Sequence, residues 1–115
     1  MQTPWGKADN VIAIAPGIKW VSTPSHGGYR LSPARNRAVP EAWRNATFSG
    51  NAKIIGTDAV GWYEEDCDWC LVWLAFPDVM NEAAGRAPGS IDQARRTFKR
   101  WFIDTGKIPA SDLDA

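Results

Sequence analysis

Short apolar runs separated by turn residues dominate the first third of the chain. Residues 11–15 and 18–22 are apolar runs on either side of Pro16 and Gly17, a pattern typical of two strands joined by a turn. A proline and a glycine pair mark residues 23–28 as a loop, and an extended pattern resumes at residues 29–31. The sequence therefore predicts a small antiparallel sheet here.

Prolines mark the predicted helical turns that follow this sheet. Ser32 is a good N-cap and Pro33 suits the first helical position, so we predict a short helical turn through Arg37. A second such turn is predicted over residues 40–43. Residues 54–55 are predicted to form a short edge strand.

The longest apolar stretch lies within residues 67–76 and ends before Pro77. It is continuously apolar from Trp69 onward, which is typical of a central strand buried on both faces. Leucine and alanine also favour a helix, so that alternative stays open. We take the strand as the prediction.

The clearest helical pattern runs from Ile91 to about Thr105. Ser90 is a good N-cap, Gln93 completes a capping box, and Gly106 is suited to follow the last turn. The apolar stripe of this helix comprises Ile91, Ala94, Phe98, Trp101 and Phe102, and its basic positions are Arg95, Arg96, Lys99 and Arg100. We predict an α+β fold: a small, mainly antiparallel β-sheet packed against this C-terminal amphipathic helix, with short additional helical turns.

The composition is that of a folded domain. The chain has 115 residues, 44% of them apolar, which is enough to bury a core and predicts a single domain over residues 1–115. No apolar run approaches the roughly 20 residues that span a bilayer, and the N-terminus lacks a signal-peptide pattern. We expect a cytoplasmic protein without a membrane partner. Most of the seven tryptophans should fill the core, with Trp62 the expected exception.

Opposite charges are segregated along the chain, although the formal net charge is zero. Residues 28–56 and 83–107 are basic, whereas residues 57–82 carry seven acidic side chains and no basic one. This layout predicts patches of opposite sign on one small surface, unless the blocks neutralise each other within the fold. The zero net charge argues against direct nucleic-acid binding, without excluding a local basic patch on the C-terminal helix.

Few residues are available for metal or nucleophilic chemistry. Cys67 and Cys70 have a redox-type spacing, but two cysteines and one histidine fall short of a zinc site. We interpret both thiols as structural and predict no metal and no cofactor. His26 follows Ser25 in the predicted loop, where no third residue orients the two as nucleophile and base. We therefore predict no catalytic residue and interpret the His26 ring as bonded to a backbone carbonyl.

The strongest local cluster is the acidic run of residues 62–68. Its carboxylates belong to Glu64, Glu65, Asp66 and Asp68. Consecutive carboxylates repel one another, so cations or hydrogen-bond donors should face them, and some should reach solvent. Their spacing does not match a calcium loop. They can pair with the chain's own arginines, or they can contact a basic partner with Trp62 and Tyr63 as aromatic anchors.

Two motifs together resemble a known family. Residues 24–28 are Pro-Ser-His-Gly-Gly, and residues 62–69 are Trp-Tyr-Glu-Glu-Asp-Cys-Asp-Trp. The pairing resembles an uncharacterised family of short domains encoded by proteobacteria, phages and plasmids, with no established activity. The resemblance implies an origin in mobile elements, whose small proteins often antagonise host defences. The family also occurs inside longer plasmid proteins.

Two classes of function remain. The first is a non-catalytic module that inhibits a host defence complex, of the anti-CRISPR or anti-restriction type, by placing an acidic-aromatic patch on a basic protein or nucleoprotein surface. Its predicted binding residues are Trp62, Tyr63, Glu64, Glu65, Asp66, Asp68, Ser25 and His26. The second is a small enzyme in which His26 shares proton transfer with Glu64, Glu65 or Asp66. We favour the first, because no orienting group or cofactor loop completes the second.

Overall fold

Two antiparallel sheets form the β part of the fold in a computed structural model that describes residues 2–47 and 60–113. The smaller sheet is a hairpin of β1 (Gln2–Thr3) and β2 (Gly6–Lys7). The larger has the order β3 (Asn10–Ala15), β4 (Ile18–Ser22), β5 (Gly27–Leu31) and β6 (Trp62–Glu64). The predicted hairpin around Pro16 and Gly17 is confirmed, and Gly17 has a φ of 79°, which glycine adopts without strain.

Within the described residues, five short α-helices accompany the sheets: α1 (Pro33–Ala38), α2 (Glu41–Ala46), α3 (Trp69–Ala75), α4 (Pro77–Glu82) and α5 (Ile91–Phe98). A π-helix over Lys99–Ile103 continues α5, and a 3₁₀ turn covers Ala110–Leu113. The mixed α+β prediction is confirmed. Ser32 caps α1 as predicted, because its Oγ atom accepts the Arg35 N–H at 3.2 Å. The strand predicted at residues 54–55 lies outside the described residues.

The strand predicted within residues 67–76 is wrong, because this stretch contains helix α3. Four consecutive side chains of α3 are buried, from Cys70 to Trp73. They are enclosed because α3 packs against α5, α4 and the sheet strands β5 and β6. A short helix covered on all sides has the same continuous apolar pattern as a buried strand, so periodicity could not separate the two.

The predicted C-terminal helix is confirmed except for the placement of Trp101. Ser90 Oγ accepts the Gln93 N–H at 3.2 Å, as a capping residue should. Trp101 is 44% exposed, however, whereas Phe102 is 1% exposed. In the π-helix the Asp104 N–H donates to the Lys99 carbonyl five residues earlier, at 2.8 Å. The extra residue in this turn rotates Trp101 away from the core, whereas Phe102, four residues after the buried Phe98, stays on the core face as predicted.

One face of the larger sheet packs against the helices through a hydrogen-bonded centre. The Tyr29 hydroxyl donates to the Pro88 carbonyl at 2.7 Å, and Trp73 Nε1 donates to the same oxygen at 2.9 Å. All three groups lie within the core or at its edge, and Tyr29 and Trp73 are almost fully buried. We call these three residues the Pro88 hub. It fixes the loop before α5 against the sheet.

On the opposite face of the larger sheet, the N-terminal hairpin covers part of strands β5 and β6 through Trp5. Trp5 contacts Trp62 edge to face, with ring centroids 5.7 Å apart, and the Arg30 guanidinium lies 5.4 Å above the Trp62 ring. Trp62 is consequently 4% exposed, so the expectation that it escapes burial is wrong. A Cβ added to Gly28 would come within 2.7 Å of Trp5, which explains a glycine there. Among the described helices, none is long and apolar enough to cross a membrane.

Candidate functional site

The candidate site is a surface cleft of about 390 Å³, which we call the acidic cleft. Among the described residues, five parts of the fold meet around it: the β1–β2 turn, the loop that carries His26, the end of α2, the turn of residues 64–68 between β6 and α3, and the π-helix with the segment that follows it. We call residues 64–68 the acidic turn, since they include the four clustered carboxylates. Those of Glu64, Asp66 and Asp68 line the cleft.

Glu64 shapes the acidic turn. Its carboxylate accepts the backbone N–H groups of Asp66, Cys67 and Asp68, at distances of 2.7, 2.6 and 3.0 Å. These bonds close the chain into a turn directly before α3, much as a capping side chain does. The hydrogen-bond donors expected to face the acids are here backbone N–H groups. Because the Glu64 carboxylate accepts from three of them, it is less available to a partner.

Glu65 and Asp66 are the exposed carboxylates of the acidic turn. Glu65 lies beside His26, with Oε1 3.7 Å from His26 Nδ1. The Asp66 carboxylate lines the cleft and forms no hydrogen bond or ion pair with the other residues that the structure describes. The prediction that some of these acids reach solvent is confirmed. Asp66 is the one available to a partner.

The loop before β5 is held by Thr23. Its hydroxyl accepts the N–H groups of Ser25 and His26, at 3.3 and 3.1 Å, and donates to the His26 carbonyl at 3.0 Å. Among the described residues, no backbone carbonyl accepts from the His26 ring as expected; the ring faces Glu65 and lies 6.3 Å from the Trp5 ring. Ser25 and His26 are both exposed, and His26 lines the cleft.

Two tryptophans from opposite ends of the chain line the acidic cleft. Trp5 comes from the turn between β1 and β2, and Trp101 comes from the π-helix. Trp101 carries one of the largest exposed apolar side chains among the described residues. Lys107 lines the same cleft, with its ammonium group 5.9 Å from the Phe102 ring. The described wall thus combines three carboxylates, one ammonium group and two indoles.

The Cys67 thiol also lines the cleft, where its surroundings disfavour the thiolate form. Burial, together with the nearby charges of Glu64, Asp68 and Asp66, raises the pKa of Cys67 to about 11. Nucleophilic cysteines need the opposite shift, because the thiolate is the reactive form. Both cysteines are free thiols, and burial raises the pKa of Cys70 further still. Within the described ranges, no three His, Cys, Asp or Glu side chains are arranged to hold a metal ion.

Comparison with known families places the chain in one of them. A model of a domain of unknown function, DUF7007, matches residues 1–111. The chain belongs to the DUF7007 family. Searches of curated proteins and of solved structures return no significant match. Because DUF7007 carries no described activity, function has to be argued from the acidic cleft itself.

The structure of this DUF7007 chain brings together only part of the predicted binding set. Trp62 and Tyr63 are buried, so their side chains are not available as surface anchors. The Tyr63 hydroxyl instead donates to the Asn36 side chain inside the core. The accessible aromatic residues of the cleft are Trp5 and Trp101, which the sequence did not single out. No local signal places these two near the acidic turn, since both contacts are long-range.

Proposed function

We propose that this chain is a non-catalytic binding module that docks the acidic cleft onto a basic surface of a host protein or nucleoprotein complex. The observation that carries the proposal is that the exposed Asp66 carboxylate and the half-exposed indole of Trp101 line the same cleft. Carboxylates attract cationic side chains from a distance, and an indole face holds a guanidinium or ammonium group at short range. An arginine or lysine of a partner is the ligand that suits both.

The indoles of this protein already accept cations from their own chain. The Arg100 guanidinium lies 5.3 Å from the centre of the Trp101 ring, and Arg30 lies at 5.4 Å from that of Trp62. Only the Trp101 pair is on the exposed surface. We infer that a partner cation competes with Arg100 for the Trp101 ring, while Asp66 supplies a charge that no described cation neutralises.

The proposed partner is a defence complex of the anti-CRISPR or anti-restriction type in the host cytoplasm. This step rests on the resemblance of the two sequence motifs to proteins of phages and plasmids. Such complexes present channels rich in lysine and arginine to DNA phosphates, and a cluster of carboxylates can occupy one of these channels as a phosphate mimic.

Binding is tested by calorimetric titration with an octa-arginine peptide at low and at physiological salt. Glu64 holds the turn together, so the charge reversal is placed at Asp66. The Asp66→Lys variant should lose most of the affinity, and raising the salt should weaken the wild-type complex. Glu82→Lys is the matched control, because Glu82 is exposed on α4 outside the cleft. Equal affinities of the Asp66→Lys and Glu82→Lys variants would contradict the proposed site.

The anti-defence role is tested separately by phage plating on hosts with an active restriction or CRISPR system. Expression of the wild-type chain should raise plating efficiency on at least one host, and the Asp66→Lys variant should not. If a folded, expressed wild-type chain changes plating on none of them, the inhibitor proposal fails, while the peptide titration still decides whether the cleft binds cations.

A second candidate function is acid–base catalysis by the pair of His26 and Glu65, whose facing atoms lie 3.7 Å apart. We expect His26→Gln to retain octa-arginine binding and plating activity with at most a modest loss of stability. Complete loss of activity at unchanged thermal stability would favour the enzyme over the binding module.

A further inference from the structure

A second cavity lies on the other side of the acidic turn from the acidic cleft. Its volume is about 460 Å³, within the range of small-molecule sites. Trp20 and Trp69 provide its aromatic walls, and Glu65 is its acidic residue. We call this cavity the tryptophan groove. No described residue lines both this groove and the acidic cleft, so the ligand of the groove is a separate question.

The walls of the tryptophan groove are fixed before any ligand arrives. The backbone of Gly89 lies so close to Trp69 that an added Cβ would come within 2.5 Å of the ring. The preceding residue, Pro88, is anchored by the two hydrogen bonds of the Pro88 hub. Trp20 contacts the buried Tyr29 ring edge to face, with centroids 4.8 Å apart. Such fixed aromatic walls reduce the entropy lost on binding.

One face of α5 supplies the polar side of the groove. Gln93, Arg96 and Thr97 line it, and their spacing places them on adjacent turns of one helix face. Arg96 is exposed, and no carboxylate in the described part of the chain lies within ion-pair distance of it. The Glu65 carboxylate also lines the groove. The described lining of the groove therefore carries one guanidinium group and one carboxylate.

We propose that the tryptophan groove binds a nucleotide, with its base against the indole of Trp20 or Trp69 and its phosphate on Arg96. A nucleotide has an aromatic ring that can stack on the indoles and an anionic group that can bind the arginine. An apolar peptide would leave the arginine without a partner. Stacking on an aromatic side chain tolerates any base, and a guanidinium binds phosphate through paired hydrogen bonds. Glu65 is placed to accept from an amino or hydroxyl group. The nucleotide can be free or part of an unpaired nucleic-acid strand.

The test is calorimetric titration of the full chain with AMP, adenosine, single-stranded oligoadenylate and a DNA duplex. AMP should bind about tenfold or more tightly than adenosine, because a hydrogen-bonded charge is lost without the phosphate. Arg96→Glu should remove this difference. Arg95→Glu is the matched control on the neighbouring position, where the side chain faces the Leu113 carbonyl instead.

The titration with single-stranded oligoadenylate distinguishes a free nucleotide from one that belongs to an unpaired nucleic-acid strand. Tighter binding of the single strand than of AMP indicates unpaired nucleic acid, and equal or weaker binding indicates a free nucleotide. The proposal is overturned if neither binds, if only the duplex binds, or if Arg95→Glu and Arg96→Glu have equal effects. A proline-rich peptide and a maltose oligomer are titrated as alternative ligands of an aromatic groove. Binding of either one in place of AMP also overturns the proposal. None of these outcomes depends on whether octa-arginine binds the acidic cleft.

Discussion

The Pro88 hub and the acidic cleft both combine tryptophan with polar groups, but the polar atoms are buried in the hub and open to solvent in the cleft. In the hub, the polar atoms of Tyr29 and Trp73 are buried and both donate to one carbonyl. In the cleft, Asp66 and Trp101 remain accessible to solvent. Paired, buried polar groups specify one arrangement of the core, whereas accessible charge beside an exposed indole contributes little to folding and much to recognition. The comparison therefore predicts stability effects in the hub and binding effects in the cleft.

The largest expected effect is the loss of Trp73 from the hub. Trp73→Ala should lower the free energy of unfolding by about 3–5 kcal/mol, because it deletes a buried aromatic ring and one donor to Pro88. Urea denaturation measures this value. A loss below about 1 kcal/mol, the range of surface substitutions, would show that the hub does not hold the core.

A second prediction concerns the reactivity of the Cys67 thiol, which lines the acidic cleft. With its pKa raised from 9.0 to about 11, the thiolate fraction at pH 8 falls roughly 100-fold, and alkylation by iodoacetamide should slow accordingly. The rate should then climb with pH toward about 11. Labelling of the wild type minus that of Cys67→Ser isolates this thiol. Fast labelling at pH 7 would mean that the cleft activates the cysteine, which the binding model excludes.

A third prediction concerns the hydroxyl of Tyr63, the second buried polar contact of the core. Tyr63→Phe leaves the buried Asn36 side chain without its donor, which should cost about 1–3 kcal/mol of unfolding free energy. Tyr63 was expected to be a surface anchor, in which case the same substitution would leave stability unchanged and weaken octa-arginine binding. Thermal denaturation and peptide titration of one variant therefore separate the two roles.

Neighbouring acids of the acidic turn should respond differently to the same change. Glu64→Gln weakens three backbone hydrogen bonds and should cost about 1 kcal/mol, as the loss of a cap does. Glu65→Gln is the control at the next position and should change stability by less than about 0.5 kcal/mol. Equal effects in urea denaturation would mean that Glu64 has no special part in the turn.

A small stability effect is also expected at Trp101. The sequence pattern placed Trp101 in the core, where Trp101→Ala should cost about 3–5 kcal/mol. At 44% exposure the expected loss is below about 1 kcal/mol, together with weaker octa-arginine binding. A large loss of unfolding free energy in urea denaturation would mean that Trp101 packs in the core and does not line the cleft.

Local signals predicted the elements that begin or end at special residues. Pro16 and Gly17 located the β3–β4 turn, Ser32 the start of α1, and Ser90 the start of α5, because each acts through neighbouring backbone groups. Continuous burial of α3 had no such signal, since its apolar pattern is shared by strands and helices. The exposure of Trp101 depends on one extra residue in a π turn, which periodicity does not reveal.

The candidate site was predictable only in its local part. The acidic turn stands out as a run of carboxylates, and the solvent access of Glu65 and Asp66 follows from their mutual repulsion. Burial of Trp62 depends on Trp5, which is far away in the chain and reaches it through a separate hairpin. The same long-range packing brings Trp5, Trp101 and Lys107 to the cleft. Such contacts depend on the whole fold, so the spacing of residues along the chain does not predict them.

The most direct test of the binding model is an NMR titration that follows the indole N–H signals of the tryptophans as octa-arginine is added. The signals of Trp5 and Trp101 should move in proportion to occupancy, and those of Trp73 in the hub and Trp69 in the tryptophan groove should stay in place. The Asp66→Lys variant should abolish the movement, and Glu82→Lys should retain it. Stationary Trp5 and Trp101 signals while the peptide binds, or equal movement of all the indoles, would contradict the acidic cleft as the site of recognition.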